Sequence, residues 1–446
     1  MVRNRNILII TPFFPPQTHA AVFRAFKLVK YLKRMGWNPI VLTVNRNYLY
    51  LEDPDLLKEI EDVPIYRANY IEPTLRGLKM LLGGKDTTFK NTTCSNDKIV
   101  KAENTLVSTK ERSRLKQLYH YLLNRWIQVP DRFIFWENNA VKMANKIIKK
   151  YDISIIYTTC LPFTCNRIGV RLKKQNNNIK WVADFRDPIT YAKRMYSNYL
   201  PVFVKQKKIE QDTFKFADRI VGLSEAYMYI FNDLYQGKYS YKCDFIPTGI
   251  DDDYIPKQFI PHEKKENSII FVGEYLKEYQ DEFLQIYAKA IKDKRLQGKK
   301  CLLKIVGNIQ LNKKVLDPII KHLNIEEYIQ YIDHMSQNNL YNEICKSKAA
   351  VLIPGRTAFW WNNFAKMVDY IGLQIPVLAM VPLLSEARTQ LTKAGNGIFL
   401  DDEKKSVELI ISVFLSDFKL SINHQYCKIY LASSQVKAFI DIFNEL

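Results

Sequence analysis

Short apolar runs alternate with amphipathic stretches along most of the chain. "ILIIT" (7–11) reads as a buried strand, and "AVFRAFKLVKYLKRMG" follows with Val22, Phe26, Val29 and Leu32 at helical spacing and Gly36 as a stop. "PIVLTV" (39–44) completes a strand–helix–strand unit, which implies parallel strands because the helix carries the chain back across the sheet. The pattern returns as the helix "NNAVKMANKIIKKY", the strand "ISIIYTT", a helix through "RIGVRLKK", the turn "QNNN" and the strand opening "WVADFRDP". "DRIVGLS" and "CDFIP" add two more strands, and residues 1–248 are predicted to form one doubly wound domain.

After "PTGIDDDYIPKQFIPHEKKEN", read as a hinge and linker over 249–266, the alternation resumes. "SIIFVG", "CLLKIVG", "YIQYID", "AAVLIPG", "PVLAMV" and "GIFLD" predict six strands of a second domain over 267–428. A final helix, "SSQVKAFIDIFNEL" within 429–446, is expected to pack back on the first domain. The predicted fold class is α/β: two Rossmann-like doubly wound parallel-sheet domains, facing each other across a cleft at the carboxyl ends of their strands.

Residues 70–135 break the rhythm. "GGKDTTFKNTTCSNDK" is polar, and residues 101–150 hold eleven Lys or Arg against four Asp or Glu, so this span reads as a variable basic insertion. A chain of 446 residues with 47% hydrophobic content suits two cores rather than one, and a net charge of +20 points to phosphate-bearing partners. The basic residues gather in no recognised nucleic-acid motif, so nucleic acid is excluded as a partner. Seven cysteines without a two-residue spacing fit a reduced, cytoplasmic setting. The start "MVRNRNILIITPFFPP" breaks at Pro12 and reads as a strand rather than a signal, and no apolar stretch reaches the roughly 18 residues needed to span a bilayer.

Two constellations carry candidate chemistry. In "NNFAKMVDYIGLQIPVLAM" (362–380), Lys366, Asp369 and Tyr370 fall at i, i+3 and i+4, which suits an ammonium holding a diphosphate and a carboxylate accepting ribose hydroxyls at the start of a helix. In "WVADFRDP" (181–188) an apolar strand ends in Asp184, Arg186 and Asp187, charges that are costly inside a sheet but useful at its tip.

"KMVDYIGLQIPVLAM" resembles the donor-site helix of GT-B glycosyltransferases of the retaining family 4. "ILIITPFFPPQTHAAVFRAFKLVKYLKRMGW", "ADRIVGLSEA" and "FIPTGID" resemble its first β-α unit, a late strand of its first domain and its interdomain hinge. "ADFRDP" resembles a signature of its polysaccharide-assembly branch. The likeness spans nearly the whole chain except residues 70–135. It implies a GT-B architecture, a nucleoside-diphosphate sugar as donor, with UDP or GDP as carrier, and transfer with retention to a glycan or lipid-linked acceptor. It implies no cofactor. "DDD" (251–253) lies in the hinge, no Asp-x-Asp metal triplet stands elsewhere in a suitable loop, and no bound metal is expected.

Residue by residue, the resemblance assigns Lys366 to the donor phosphates, Asp369 to the ribose and Tyr370 to the same helix, and sets Asp184, Arg186 and Asp187 on the acceptor side. Gly273 marks a phosphate-side loop with Lys277 as its basic residue, and His334 and Met335 wall the base pocket. Three departures stand out. Trp361 replaces the family's first acidic residue, His19, Ala20 and Ala21 replace its paired glycines, with His19 as the candidate in that substrate loop, and Lys277 is displaced from the usual basic position. The basic, aromatic span "KERSRLKQLYHYLLNRWIQVPDRFIFW", through Arg112, Arg114 and Lys116, is expected to lie on anionic headgroups at the inner face of the plasma membrane. The alternatives are a nucleotide-sugar epimerase of the same architecture and a binding or scaffold protein with a decayed site.

Overall fold

The apolar runs become two separate parallel sheets in the computed structural model, which describes residues 4–18, 20–45, 52–75, 77–78, 82, 121–188, 190–192, 200–257, 260–275, 281–355 and 358–446. The chain divides into two compact units, Met1–Pro247 with Val436–Leu446, and Thr248–Gln435.

In the first unit the strands are β1 (Asn6–Ile10), β2 (Asn38–Val44), β3 (Ile65–Ala68), β4 (Ile155–Cys160), β5 (Lys180–Phe185), β6 (Arg219–Gly222) and β7 (Cys243–Phe245). They lie in the order β3-β2-β1-β4-β5-β6-β7, all parallel, so the winding reverses between β1 and β4. β3 was not anticipated, because the edge strand "IYRA" is too short and too polar to announce itself.

The helix Ala20–Arg34 buries Val22, Phe26, Val29 and Leu32 as its spacing predicts, and it also buries Arg24, Lys27 and Lys30. A buried charge survives only when paired, and the Lys30 ammonium lies 2.5 Å from Glu59. The helix Ala432–Glu445 joins this unit from Val436 onward, where the Phe439 ring stands 5.6 Å from Tyr157 and Phe443 stands 5.4 Å from Trp37. Burying two phenylalanines contributes about 1.5–3 kcal/mol each.

The second unit is built on β8 (Glu266–Val272), β9 (Leu302–Val306), β10 (Ile329–Ile332), β11 (Ser347–Leu352), β12 (Val377–Ala379) and β13 (Gly397–Phe399), in the order β10-β9-β8-β11-β12-β13. All six coincide with predicted runs. Successive residues of β8 serve opposite faces. Ile269 and Phe271 join the core under the helices Glu282–Ile291 and Glu403–Leu415, whereas Ile270 and Val272 join the core under Ala365–Gly372 and Glu386–Ala394. Both faces are covered, which is why the strands read as continuous apolar runs rather than alternating ones.

Residues 249–254, read above as the start of a linker, are integrated into this unit. The Ile250 amide donates to the Tyr430 carbonyl at 2.7 Å, and Asp252 accepts from the Ser433 amide at 3.0 Å at the start of Ala432–Glu445. Asp251, which accepts from the Asp253 amide at 3.1 Å, and Asp252 therefore cap local structure. Among the described residues no helix is long and apolar enough to cross a membrane.

Candidate functional site

Parallel strands deliver their following loops to one edge, and a ligand site forms where the strand order reverses. In the second unit that point lies between β8 and β11. The loop after β8 begins at Gly273 (φ +137°), whose amide donates to the Val306 carbonyl at 2.9 Å. Asn312 holds this loop from both sides: its Nδ2 donates to the Gly273 carbonyl at 3.0 Å, and its Oδ1 accepts from the Tyr275 amide at 2.7 Å. Gly307, after β9, has φ +153°, and a Cβ there would stand 2.5 Å from the Gly273 oxygen. Gly307→Ala is therefore expected to displace the loop, lowering the melting temperature by several degrees and weakening nucleotide binding. An unchanged calorimetric affinity for the preferred nucleotide would show that the loop takes no part in binding.

After β11 the chain runs through Trp361 into the helix Ala365–Gly372, whose first amides have no intrahelical acceptors and form the positive end of the helix dipole. Lys366 sits in this first turn with its side chain 37% exposed and its ammonium 3.1 Å from Oδ2 of Asp369. Asp369 is nearly buried, and its Oδ1 accepts from the Tyr341 hydroxyl at 2.9 Å, which in turn accepts from Gln337 Nε2 at 2.7 Å. Burial and the Asp369 charge push the Tyr341 phenol far above its ordinary range, so it remains a donor. A carboxylate offers about four acceptor sites, and Lys366 and Tyr341 use two. Tyr341 and Gln337 were not foreseen, since only the fold brings the helix Gln337–Lys346 beside Ala365–Gly372.

One expectation changes here. Tyr370 is completely buried and belongs to the core beneath the helix, so it does not line a donor pocket. Trp361, in place of an acidic residue, is buried against Phe359 with ring centroids 4.3 Å apart. His334 and Met335 follow β10, on the same edge but three strand spacings, about 14 Å, from β11. His334 is exposed, its amide bonded to Asp333, and Met335 packs on the core. Lys277 and His19 lie outside the described residues, as do Arg112, Arg114 and Lys116.

In the first unit the strand tip of β5 separates its three charges. Asp184 is fully buried, gripped by Arg24 through Nε at 2.7 Å and Nη2 at 2.8 Å, and it accepts from the Tyr157 hydroxyl at 2.6 Å. Burial opposes the Arg24 charge, but Asp184 outweighs it and the guanidinium pKa rises; Tyr157 is pushed well above its ordinary value by burial and then by the Asp184 charge. Arg24 also donates to the Ile246 carbonyl at 3.0 Å, tying Ala20–Arg34, β4, β5 and the segment after β7 together. Asp184 is thus a positioning residue rather than an acceptor for substrate hydroxyls, because its carboxylate is consumed inside the protein.

Arg186 does reach the reversal point of the first sheet. Its guanidinium lies 5.6 Å from the Phe13 ring in the loop after β1 and donates to the Leu161 carbonyl after β4. Its Nε has no partner among the described residues. The loop is held from behind: Tyr227 donates to the Arg186 carbonyl at 3.1 Å, and Glu210 accepts from the Thr190 amide at 3.1 Å and from the Thr190 and Tyr235 hydroxyls. Asp187 is half-buried on the same loop. Asp131, unmarked in the sequence, accepts from the Thr164 amide and hydroxyl at 2.8 Å each and fixes the start of the helix Phe163–Gln175; burial pushes its carboxyl up. Among the described residues no group of three His, Cys, Asp or Glu side chains is placed to hold a metal ion.

Sequence comparison finds no matching family model and no matching curated protein. Comparison of structures finds many matches. They include the lipopolysaccharide outer core galactosyltransferase WaaB in its apo form (TM-score 0.56, 11% identity, covering 99% of this chain and 100% of that one). Sucrose-phosphate synthase from Thermosynechococcus elongatus matches with TM-score 0.55 and 10% identity over 99% of this chain and 98% of that one. The fold is GT-B. A UDP-N-acetylglucosamine 2-epimerase matches with TM-score 0.50 and 13% identity over 98% of this chain and 94% of that one. In this GT-B chain Lys366 and Asp369 stand on the helix that follows the reversal strand of the second sheet, and Arg186 stands at the reversal of the first.

Proposed function

We propose that this chain is a glycosyltransferase that moves a sugar from a nucleoside-diphosphate sugar to a glycan or lipid-linked acceptor in the assembly of a bacterial surface polysaccharide. The observation that carries this reading is the half-exposed Lys366 ammonium beside Asp369, at the open amino end of the helix after β11. A cation and several backbone amides at one point form a site for a diphosphate. The departing nucleoside diphosphate develops charge there, and Lys366 with the first-turn amides stabilises it without a bound metal. Asp369 orients Lys366 and keeps acceptor capacity for ribose hydroxyls.

On the first unit, the half-buried Arg186 guanidinium at the reversal of the sheet is suited to a phosphate or hydroxyl of the acceptor. In a retaining transfer the acceptor hydroxyl attacks the face from which the diphosphate leaves, and a phosphate oxygen takes its proton. Support for transfer comes from the fold shared with a galactosyltransferase and a sucrose-phosphate synthase. The second reading is epimerisation of a nucleotide sugar, favoured by the fold shared with a UDP-N-acetylglucosamine 2-epimerase. The acceptor is expected at the inner face of the plasma membrane, to which the basic insertion attaches the protein.

Melting the full chain with a panel of nucleoside diphosphates, with and without a chelator, tests the donor site. A ligand at about one hundred times its dissociation constant stabilises by about 2.7 kcal/mol, which is a shift of several degrees. One diphosphate is expected to give that shift in chelator as well; no shift with any of them would contradict the proposal.

A further inference from the structure

At the amino end of the second sheet, the edge opposite Lys366, the residues that enter β8, β9 and β11 form an open, solvent-facing pocket of about 580 Å³. That volume lies within the range of small-ligand sites. Lys265 precedes β8, Lys299 and Lys300 precede β9, and Lys348 is the second residue of β11; all four line the pocket, against one carboxylate, Glu263.

Lys348 has an internal task. It is buried, and its ammonium donates to the Phe414 carbonyl at 2.6 Å and to Ser416 Oγ at 2.9 Å, closing the carboxyl end of the helix Glu403–Leu415. Lys265 differs. It is half-buried, burial pushes its pKa down, and among the described residues no side chain or carbonyl accepts from its ammonium. Lys299 and Lys300 are exposed and have no ion-pair partner among the described residues; burial, and then the Lys299 charge, push the Lys348 pKa down. Elsewhere the fold neutralises such groups: buried Lys30 faces Glu59, Lys173 faces Asp218, and Lys304 faces Glu266 and Glu343. An ammonium partly withdrawn from water without an acceptor, as Lys265 is, is costly, and with the exposed Lys299 and Lys300 beside it the pocket is complementary to an anion that brings acceptors of its own.

We propose that this pocket is a second ligand site, separate from the one at Lys366, that takes a small phosphate-bearing anion the size of a diphosphate or a sugar phosphate. Lys265, Lys299 and Lys300 bind its oxygens. The proposal does not depend on the glycosyltransferase reading.

The test is calorimetric titration of the full chain with inorganic diphosphate and with a hexose phosphate, at fixed ionic strength, using sulfate as the control anion. Saturable binding is expected to persist in Lys366→Ala and to weaken at least tenfold in a Lys265→Gln, Lys299→Gln, Lys300→Gln variant. Tighter binding of the hexose phosphate than of diphosphate would assign the site to phosphorylated sugars; the reverse order would assign it to inorganic phosphates. Because an unpartnered ammonium opposes folding, Lys265→Met in anion-free buffer is expected to melt at or above the parent temperature. Loss of all binding in Lys366→Ala with full binding in the triple variant would overturn the proposal. So would responses equal to those of sulfate in parent and variant alike, or a Lys265→Met protein that melts lower while its diphosphate affinity is unchanged.

Discussion

Replacing Lys366 by Ala is expected to lower kcat/KM for sugar transfer by about 100- to 1,000-fold, the range for removing one preorganised group that stabilises transition-state charge. The same change is expected to leave the fold nearly as stable, since the Lys366–Asp369 pair is partly exposed and such pairs contribute about 1 kcal/mol or less. Asp369→Ala should behave differently. It removes the acceptor of the buried Tyr341 hydroxyl, and an unsatisfied buried donor costs about 1–3 kcal/mol. A loss of turnover in Lys366→Ala without a loss of stability, set beside a loss of both in Asp369→Ala, would separate the cation's chemical role from the carboxylate's positioning role. Full turnover in Lys366→Ala would remove the donor site from this helix.

Arg24→Ala is the substitution expected to damage the first unit most. It leaves the Asp184 carboxylate buried with, among the described residues, the Tyr157 hydroxyl as its one remaining donor. Breaking one side of a buried pair costs about 3–5 kcal/mol, roughly 10 °C in melting temperature for a unit of this size. Replacing both partners, Arg24→Met with Asp184→Leu, is expected to recover much of that loss, because the desolvation penalty disappears along with the attraction. Urea unfolding of the single and double variants measures both effects. A single variant that loses less than about 1 kcal/mol would show that the network is not what secures the end of β5.

The strands were legible because each is an apolar run covered on both faces, and the strand–helix–strand rhythm leaves parallel pairing as the connection. What stayed hidden depends on contacts between distant positions. Asp184 looked like a surface charge because Arg24, 160 positions earlier, is an arginine on a helix whose spacing shows only Val22, Phe26, Val29 and Leu32 facing inward. Nothing local pairs the two.

The short helix Ala365–Gly372 illustrates the same limit on a smaller scale. Positions i+3 and i+4 flank residue i on opposite sides, about 100° apart around the axis. Asp369 fell on the side that meets Lys366, and Tyr370 fell on the side that meets the core. The spacing identifies both as neighbours of Lys366, and only the packing against β11 and the adjoining helices decides which one shares its site. Arg186 was placed correctly at a strand tip, but its contacts with Phe13 and Leu161 rest on the order in which β1, β4 and β5 lie, which the sequence leaves open.

Mass analysis of both products, after incubating the protein with UDP- and GDP-sugars and a bacterial lipid-linked glycan extract, tests sugar transfer most directly. Transfer predicts an acceptor heavier by one sugar residue and an equal amount of released nucleoside diphosphate, both abolished by Lys366→Ala. A sugar that changes configuration without reaching any acceptor, or a nucleotide sugar recovered intact with every donor, would contradict it.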